Sequence, residues 1–178
     1  IIYSITSGNC PPSVDAVNII VAPASVGGFV SANATVCEGT NSGTLSVFGQ
    51  TGNVTRWEST TSNFTPGNIT AFPGAPTFSY VGLTQTTRFR AIVQNGTCPE
   101  AISGEVVITV TPRPTVANAG PDLQFCGSPT TVPLTGNTPT VGTGSWVLVS
   151  QPSGGSASIA GSGPSATLVN PSCLLYTS

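Results

Sequence analysis

Apolar and polar residues alternate in short segments along most of the chain. In residues 105–111, Val106, Ile108 and Val110 occupy every second position, and residues 87–94 show the same period of two. This period is typical of a β-strand that turns one face toward a core. Glycine- and proline-containing turn signals separate the segments. The pattern predicts an all-β chain of short strands joined by tight turns.

The chain also repeats part of its own sequence. Residues 7–11 loosely match residues 94–99, and residues 19–23 match residues 108–112. The cysteines of the first pair of segments lie 88 residues apart, and the prolines of the second pair lie 89 residues apart. A period of that length corresponds to one β-sandwich domain. We therefore expect a tandem array of sandwiches.

One repeat is predicted to be complete, in residues 24–112. It has about seven short strand-like segments, and Trp57 is the natural large core residue of the third, which is the profile of an immunoglobulin-like β-sandwich. Residues 1–23 then correspond to the last two strands of a preceding repeat. The predicted strands of the complete repeat cover 28–34, 44–48, 54–59, 77–81, 87–94 and 105–111, with 60–76 irregular.

The pattern begins again in residues 113–172. Trp146 lies 89 residues after Trp57, in a predicted strand over 145–149, and is predicted to be a core residue as Trp57 is. No counterpart of the last two strands follows, so this repeat is predicted to lack them. Residues 173–178 fit no part of the pattern and are treated as an atypical tail. The other predicted strands here are 131–135, 156–159 and 166–169.

Composition limits the partners and the compartment. Only 6% of the residues are charged, and the net charge is −2, so the chain offers no basic surface for nucleic acid. No apolar run approaches the length of a membrane span. Five cysteines in a lysine-free, threonine-rich chain favour an oxidising environment over free cytosolic thiols. These features predict a secreted or cell-surface protein.

Several motifs resemble known repeats. Four segments resemble the immunoglobulin-like repeats of very large secreted proteins of the Bacteroidota, which often accompany gliding-motility-associated C-terminal sorting domains. Three others look like the related PKD-like repeat of the same proteins. The resemblance implies an adhesin-like or filament-like stalk at the cell surface. The first group is TVCEGT (35–40), RWE (56–58), LTQTTRFRA (83–91) and NGTC (95–98). The second is AGPD (119–122), CG (126–127) and GTGSW (142–146).

Two disulfide pairings are compatible with the predicted repeats. One joins Cys37 to Cys98 and leaves Cys10 and Cys126 to partners outside the chain. A loop of that length would stabilise the folded state by about 4 kcal/mol. The Cys37–Cys98 pairing requires the spacer after Cys37 to run back along the sandwich, because Cys37 precedes the second strand and Cys98 follows the sixth. The other pairing joins Cys10 to Cys37 and Cys98 to Cys126. We favour Cys37–Cys98.

Catalytic chemistry has few candidate residues. The chain has no histidine for a catalytic triad or an imidazole metal ligand, and its cysteines lack the close pairs of zinc sites. Glu58 beside Arg56 predicts a solvent-facing pair on one strand. We therefore predict no enzyme, no metal and no cofactor. The six carboxylates are scattered: Asp15, Glu38, Glu58, Glu100, Glu105 and Asp122.

Five Asn-X-Thr sequons lie in the complete repeat and are candidate glycosylation sites. They begin at Asn33, Asn53, Asn63, Asn68 and Asn95. If they carry sugar, the repeat has a densely coated surface.

A structural function follows from these observations. We expect a non-enzymatic module of an extracellular adhesin or filament, whose partners are neighbouring repeats, identical subunits or surface glycans. Residues 1–23 of one copy are expected to complete the open repeat of the next by β-strand addition. Such a heterologous contact need not close, so it builds a head-to-tail polymer.

A second hypothesis is a carbohydrate-binding or accessory module of a secreted polysaccharide-degrading enzyme. This function requires an exposed aromatic platform. Most aromatic residues, including Phe48, occupy core positions of the alternation. Phe64 and Phe72, in the irregular segment, are the free candidates.

Overall fold

The alternating segments form the strands of an all-β structure. The computed structural model describes residues 1–125, 129–151, 153 and 155–171, and these residues contain no helix. In that part of the chain, therefore, no helix is long and apolar enough to cross a membrane. The chain divides into two compact units, Ile1–Thr111 (unit 1) and Pro112–Ser178 (unit 2).

Unit 1 is built from a β-hairpin followed by a two-sheet sandwich. The hairpin strands are β1 (Ile2–Ile5) and β2 (Ser13–Ala16). The sandwich strands are β3 (Phe29–Val30), β4 (Ala34–Cys37), β5 (Ser42–Phe48), β6 (Asn53–Thr60), β7 (Thr70–Pro73), β8 (Thr77–Val81), β9 (Thr87–Gln94), β10 (Ala101–Ile102) and β11 (Val106–Thr111).

The core of unit 1 lies between two sheets. One sheet has the order β4-β11-β9-β6-β7, with β10 also paired to β9, and the other has the order β3-β5-β8. Alternate residues of both sheets point inward: Leu45 and Tyr80 come from the smaller sheet, and Trp57, Phe89 and Ile108 from the larger one. Two sheets that share one core in this way form a β-sandwich.

The predicted strands of unit 1 are mostly confirmed, with two differences. The predicted first strand, 28–34, is divided between β3, which pairs with β5, and β4, which pairs in parallel with β11, because the chain crosses from one sheet to the other between them. The predicted irregular segment contains β7, an edge strand paired with β6. The Pro66-Gly67 turn signal precedes this short strand, and Pro73 of the Pro73-Gly74 signal is its last residue.

The β1–β2 hairpin contributes no residue to the core cluster of the sandwich. Every residue from Ile1 to Ala24 is exposed. The antiparallel pairing runs from Ile2 opposite Ala16 to Ile5 opposite Ser13. Residues 19–23, which match part of β11 in sequence, form no strand.

Unit 2 has a smaller sheet of three strands. They are β12 (Thr131–Pro133), β13 (Ser158–Ala160) and β14 (Thr167–Val169), in the order β12-β14-β13. Its buried cluster consists of Val132, Ala157 and Leu168. The predicted strand over 145–149 is not assigned as a strand. A strand needs a neighbour for its backbone hydrogen bonds, and the described residues of unit 2 pair no strand with this segment.

Candidate assembly site

The β1–β2 hairpin has the same strand register as β9–β10 in the sandwich. Ser13 lies opposite Ile5, and Ala101 lies opposite Val93. Both residues of the first pair are 88 positions before those of the second. The next pair, Val14 opposite Ser4 and Ile102 opposite Ile92, keeps the same difference. The hairpin is therefore built as the closing hairpin of a sandwich is built.

The turns of the two hairpins are equivalent as well. The backbone N–H of Cys10 donates to the carbonyl of Ser7 at 3.1 Å, and that of Cys98 donates to Asn95 at 3.0 Å. Each turn places a glycine in the left-handed region, with φ of 52° at Gly8 and 57° at Gly96. Glycine adopts this conformation without steric cost. Sequence and backbone geometry thus agree at the 88-residue spacing.

A one-residue bulge accounts for the change in spacing from 88 to 89. After Ile102, which pairs with Ile92, the next partner of β9 is Val106, opposite Phe89. The strand formed by β10 and β11 therefore contains one extra residue, around Ser103, as in a β-bulge. The β1–β2 hairpin continues without it, since the Val17 N–H donates to the Ile1 carbonyl at 2.9 Å.

Unit 2 contains an apolar groove of about 270 Å³, which is open to solvent. Its walls come from one face of the three-stranded sheet, from residues 119–123 and from the segment around Trp146. In a closed sandwich, side chains of the opposite sheet fill such a space. The groove is lined by apolar side chains that include Phe125, Leu134, Trp146, Leu148, Ile159 and Leu168.

The two tryptophans make the same hydrogen bond but differ in burial. Trp57 Nε1 donates to the Ala75 carbonyl at 2.9 Å, and Trp146 Nε1 donates to the Pro164 carbonyl at 3.1 Å. Donor and acceptor are both displaced by 89 residues. Trp57 is fully buried, as predicted for a core residue, whereas Trp146 is half-buried. In unit 1, β9 covers the strand of Trp57, and the described residues of unit 2 provide no such cover.

The segment around Trp146 is apolar on both faces. Residues 146–149 all line the groove, and of these Val147 and Val149 are also 77% and 92% exposed. Sequence reasoning assigned no role to these valines, although the run Trp-Val-Leu-Val already differs from the alternation expected of a half-solvated strand. Exposed apolar side chains beside an open groove are typical of a surface that binds another chain.

The predicted solvent-facing pair of Arg56 and Glu58 is corrected by the structure. Arg56 Nε donates to Glu58 Oε1 at 2.8 Å, but the Glu58 side chain is buried and also accepts a bond from Arg90 Nε at 2.8 Å. The Arg90 guanidinium lies 4.0 Å from the centre of the Phe64 ring, so the segment after β6 covers the pair. Burial raises the pKa of Glu58, but the bonds from Arg56 and Arg90 outweigh it and hold that pKa below its ordinary value.

The favoured Cys37–Cys98 disulfide is not formed in the structure, where Cys10, Cys37 and Cys98 are free. Cys37 pairs with Thr111, beyond the start of β9, and Cys98 follows the end of β9. A strand of eight residues spans about 26 Å, whereas a disulfide needs α-carbons within about 7 Å. Cys126 lies outside the described residues, as does the tail 173–178.

The five sequons differ in the freedom of their amide nitrogens. Asn95 Nδ2 donates to the Pro23 carbonyl at 2.8 Å, and Asn68 Nδ2 donates to Thr65 Oγ1 at 3.0 Å. Glycosylation replaces one of the two hydrogens of this nitrogen, so the sugar would have to be accommodated beside these bonds. The other three side chains are exposed, and Asn33 uses its oxygen to accept from the Val107 N–H. Those three, Asn33, Asn53 and Asn63, are the more accessible candidates.

Neither predicted aromatic platform residue is free. Phe72 packs on the core, with its ring 4.8 Å from that of Phe78, and Phe64 lies beneath Arg90. Phe48 instead points outward and is exposed, opposite the exposed Phe29 of the neighbouring strand. The prediction that Phe48 occupies a core position is therefore wrong, because β5 turns its inward face at Leu45 and Val47.

The described residues bring together no group of three or more histidine, cysteine, aspartate or glutamate side chains that could hold a metal ion. The carboxylates Glu58, Glu100 and Glu105 are engaged in ion pairs with arginines. What the arrangement offers instead is a hairpin with exposed apolar side chains and an apolar groove beside a segment that the structure assigns to no strand.

Comparison with known proteins gives one family match. Residues 26–112 match a family described as a domain of unknown function (DUF8696). This interval contains all the sandwich strands of unit 1, from β3 to β11. No curated protein sequence matches the chain significantly.

Proposed function

We propose that the chain is a non-enzymatic structural module of a secreted or cell-surface adhesin or filament, and that its copies join by β-strand addition. The β1–β2 hairpin of one copy enters the groove of unit 2 in another and acts there as the closing hairpin. The observation that carries this proposal is the equivalence of β1–β2 and β9–β10 in register and turn, in a hairpin whose own side chains are exposed.

The energetics favour such an exchange. Exposed apolar area costs about 25 cal/mol per Å² when it is left in water, and both the hairpin and the groove leave such area uncovered. Backbone hydrogen bonds to the Trp146 segment add to the burial, as in other cases of strand addition. Each copy has one hairpin and one groove, so the contact propagates head to tail.

The extracellular and tandem parts of the proposal rest on sequence. The low charge, the threonine-rich surface and the resemblance to Bacteroidota surface repeats support an array of sandwiches outside the cell. The recurrence of the tryptophan hydrogen bond at 89 residues supports the same array.

Sedimentation velocity over a range of concentrations tests the assembly. We expect the mean mass of the full chain to rise above the 17.8 kDa monomer as concentration increases. A variant without residues 1–17 should stay monomeric, because it keeps the groove but has no hairpin. A full chain that remains monomeric and folded at high concentration would contradict strand addition.

A second candidate function is binding of a carbohydrate through Phe29 and Phe48. These two exposed rings lie opposite each other on neighbouring strands, whereas the platform residues predicted from sequence are covered. Glycan-array binding that is lost in Phe29→Ala and Phe48→Ala, but kept in Phe64→Ala, would support it. Absence of any glycan binding by the full chain would eliminate it.

A further inference from the structure

We infer that Ile2 of the hairpin and Val147 of unit 2 form a selective pair that directs the hairpin into unit 2 and away from unit 1. The inference rests on the proposed strand addition and names its register and its specificity residues. It follows from the pairing of β6 with β9 in unit 1. The 89-residue spacing relates the positions of β6 to the Trp146 segment of unit 2, and the 88-residue spacing relates the positions of β9 to those of β1.

The inward-facing contact fixes the register. In unit 1, Trp57 lies opposite Ala91 of β9. The 89-residue spacing relates Trp57 to Trp146, and the 88-residue spacing relates Ala91 to Tyr3. Tyr3 therefore enters the groove beside Trp146. The full burial of Ala91 shows that the equivalent position in a closed sandwich is a core position, and the groove provides room for a larger ring there.

The next pair lies on the outer face and differs in chemistry between the two units. In unit 1 this pair is Glu58 opposite Arg90, joined by a buried ion pair of 2.7 Å. In the proposed contact the same positions hold Val147 and Ile2, which are 77% and 71% exposed in the unassembled chain. In unit 1 both members of the pair are charged and of opposite sign, and in the proposed contact both are apolar. Each pair is therefore complementary.

Mixed pairs are unfavourable. If the hairpin displaced β9 from unit 1, Ile2 would lie against Glu58, and a buried carboxylate would lose the bond from Arg90. Removal of one partner of a buried ion pair is destabilising, and the remaining bond from Arg56 to Glu58 only partly offsets it. The penalty against the wrong pairing supplies specificity. The hairpin thus discriminates between the groove of unit 2 and the β9 position of unit 1 through a single outward-facing position.

Charge substitution at the two positions tests the pair, and both are exposed, so the variants should fold. Ile2→Arg and Val147→Glu are each expected to weaken self-association about tenfold or more, because each places a charge opposite an apolar side chain. The double variant recreates the ion pair of unit 1 and should associate within about threefold of the wild type. Its association should weaken at high salt, since ion pairs are screened.

Two further variants serve as matched controls. Ile20→Arg and Val116→Glu introduce the same charges at positions that are 90% and 86% exposed and that lie outside both the β1–β2 hairpin and the lining of the groove. Sedimentation should show little change for either. If the controls weaken association as much as Ile2→Arg and Val147→Glu, general repulsion explains the effect and the inference is wrong.

The remaining outcomes separate this inference from the proposed function. Self-association that is insensitive to Ile2→Arg and Val147→Glu would overturn the selective pair while leaving strand addition in place. Failure of the double variant to recover would overturn it as well. Absence of self-association in the wild-type chain would overturn both proposals together.

Discussion

The selective contact depends on the rule that an ion pair and an apolar pair are each favourable, whereas a charge opposite an apolar side chain is not. Exchange of the buried ion pair in unit 1 for an apolar pair tests this rule. The changes are Glu58→Val, Arg90→Ile and both together, so that the double variant carries in unit 1 the same side-chain types as Val147 and Ile2. Glu58 and Arg90 are largely buried, with side chains 7% and 15% exposed. All three variants change the same two facing positions, so their stabilities can be compared directly.

The expected magnitudes follow from the partners that each variant leaves behind. Glu58→Val leaves Arg90 without a carboxylate and should lower the free energy of unfolding by about 2–3 kcal/mol, a value reduced from the fully buried case because Arg90 retains some exposure. Arg90→Ile leaves Glu58 bonded to Arg56 at 2.8 Å, so its cost should be about 1–2 kcal/mol. The double variant should be within about 1 kcal/mol of the parent, since apolar replacement of a whole pair is often neutral.

Urea unfolding followed by tryptophan fluorescence measures these values. A Trp146→Phe background leaves Trp57 as the only tryptophan, so the signal reports unit 1. The coupling energy of the double-mutant cycle, which is the sum of the two single losses minus the loss in the double variant, should be about 2–5 kcal/mol in favour of matched pairs. If the two single losses simply add in the double variant, the residues are not coupled and the reasoning about mixed pairs fails.

Three other predictions concern stability and exposure. The folded-state pKa of Glu58 is lowered. Its contribution to the free energy of unfolding should therefore be complete above the ordinary glutamate pKa of about 4.3 and should decline as pH falls through the lowered value. Urea midpoints measured at several pH values should show a smaller decline in Glu58→Gln. Asn41→Ala should lower the free energy of unfolding of unit 1 by about 2–4 kcal/mol, because the buried side-chain amide bonds both the N–H and the carbonyl of Leu83. A loss below about 0.5 kcal/mol in chemical denaturation, as at ordinary surface sites, would contradict this. Acrylamide should quench Trp146 more readily than Trp57 in dilute protein, and loss of the slowly quenched component in Trp146→Phe would show the assignment to be reversed.

Much of unit 1 could be predicted from sequence because local pattern and tertiary packing agree there. The strand over 87–94 has the predicted bounds, and Trp57 is the central core residue. The alternation identifies which face is buried, since a strand places successive side chains on opposite faces. It does not identify a change of sheet, and the separation of β3 from β4 was therefore missed.

The outward face of a strand was the least predictable feature. Glu58 was expected in solvent, yet the segment that carries Phe64 folds over it. Phe48 was expected in the core, yet it continues past the inward positions of β5 to the exposed end. The burial of Glu58 depends on what a distant segment covers, which the period of two does not encode, whereas the exposure of Phe48 follows from that period once Leu45 and Val47 face inward.

The candidate site was partly visible in the sequence. The echo of residues 94–99 in residues 7–11 predicted a related hairpin, and the structure adds the register, the turn and the bulge that relate the two. The selective pair required strand pairing to be known, because Ile2 and Val147 correspond to Arg90 and Glu58 only through the register of β6 with β9.

Hydrogen exchange at low and high protein concentration tests the central claim most directly. The backbone amides of residues 145–149 belong to no strand in the structure, so they should exchange rapidly in dilute protein. If the hairpin of a second copy pairs with this segment, these amides and those of β1 should become protected as the protein associates. Association without added protection at residues 145–149 would show that the copies join elsewhere, and would contradict the account.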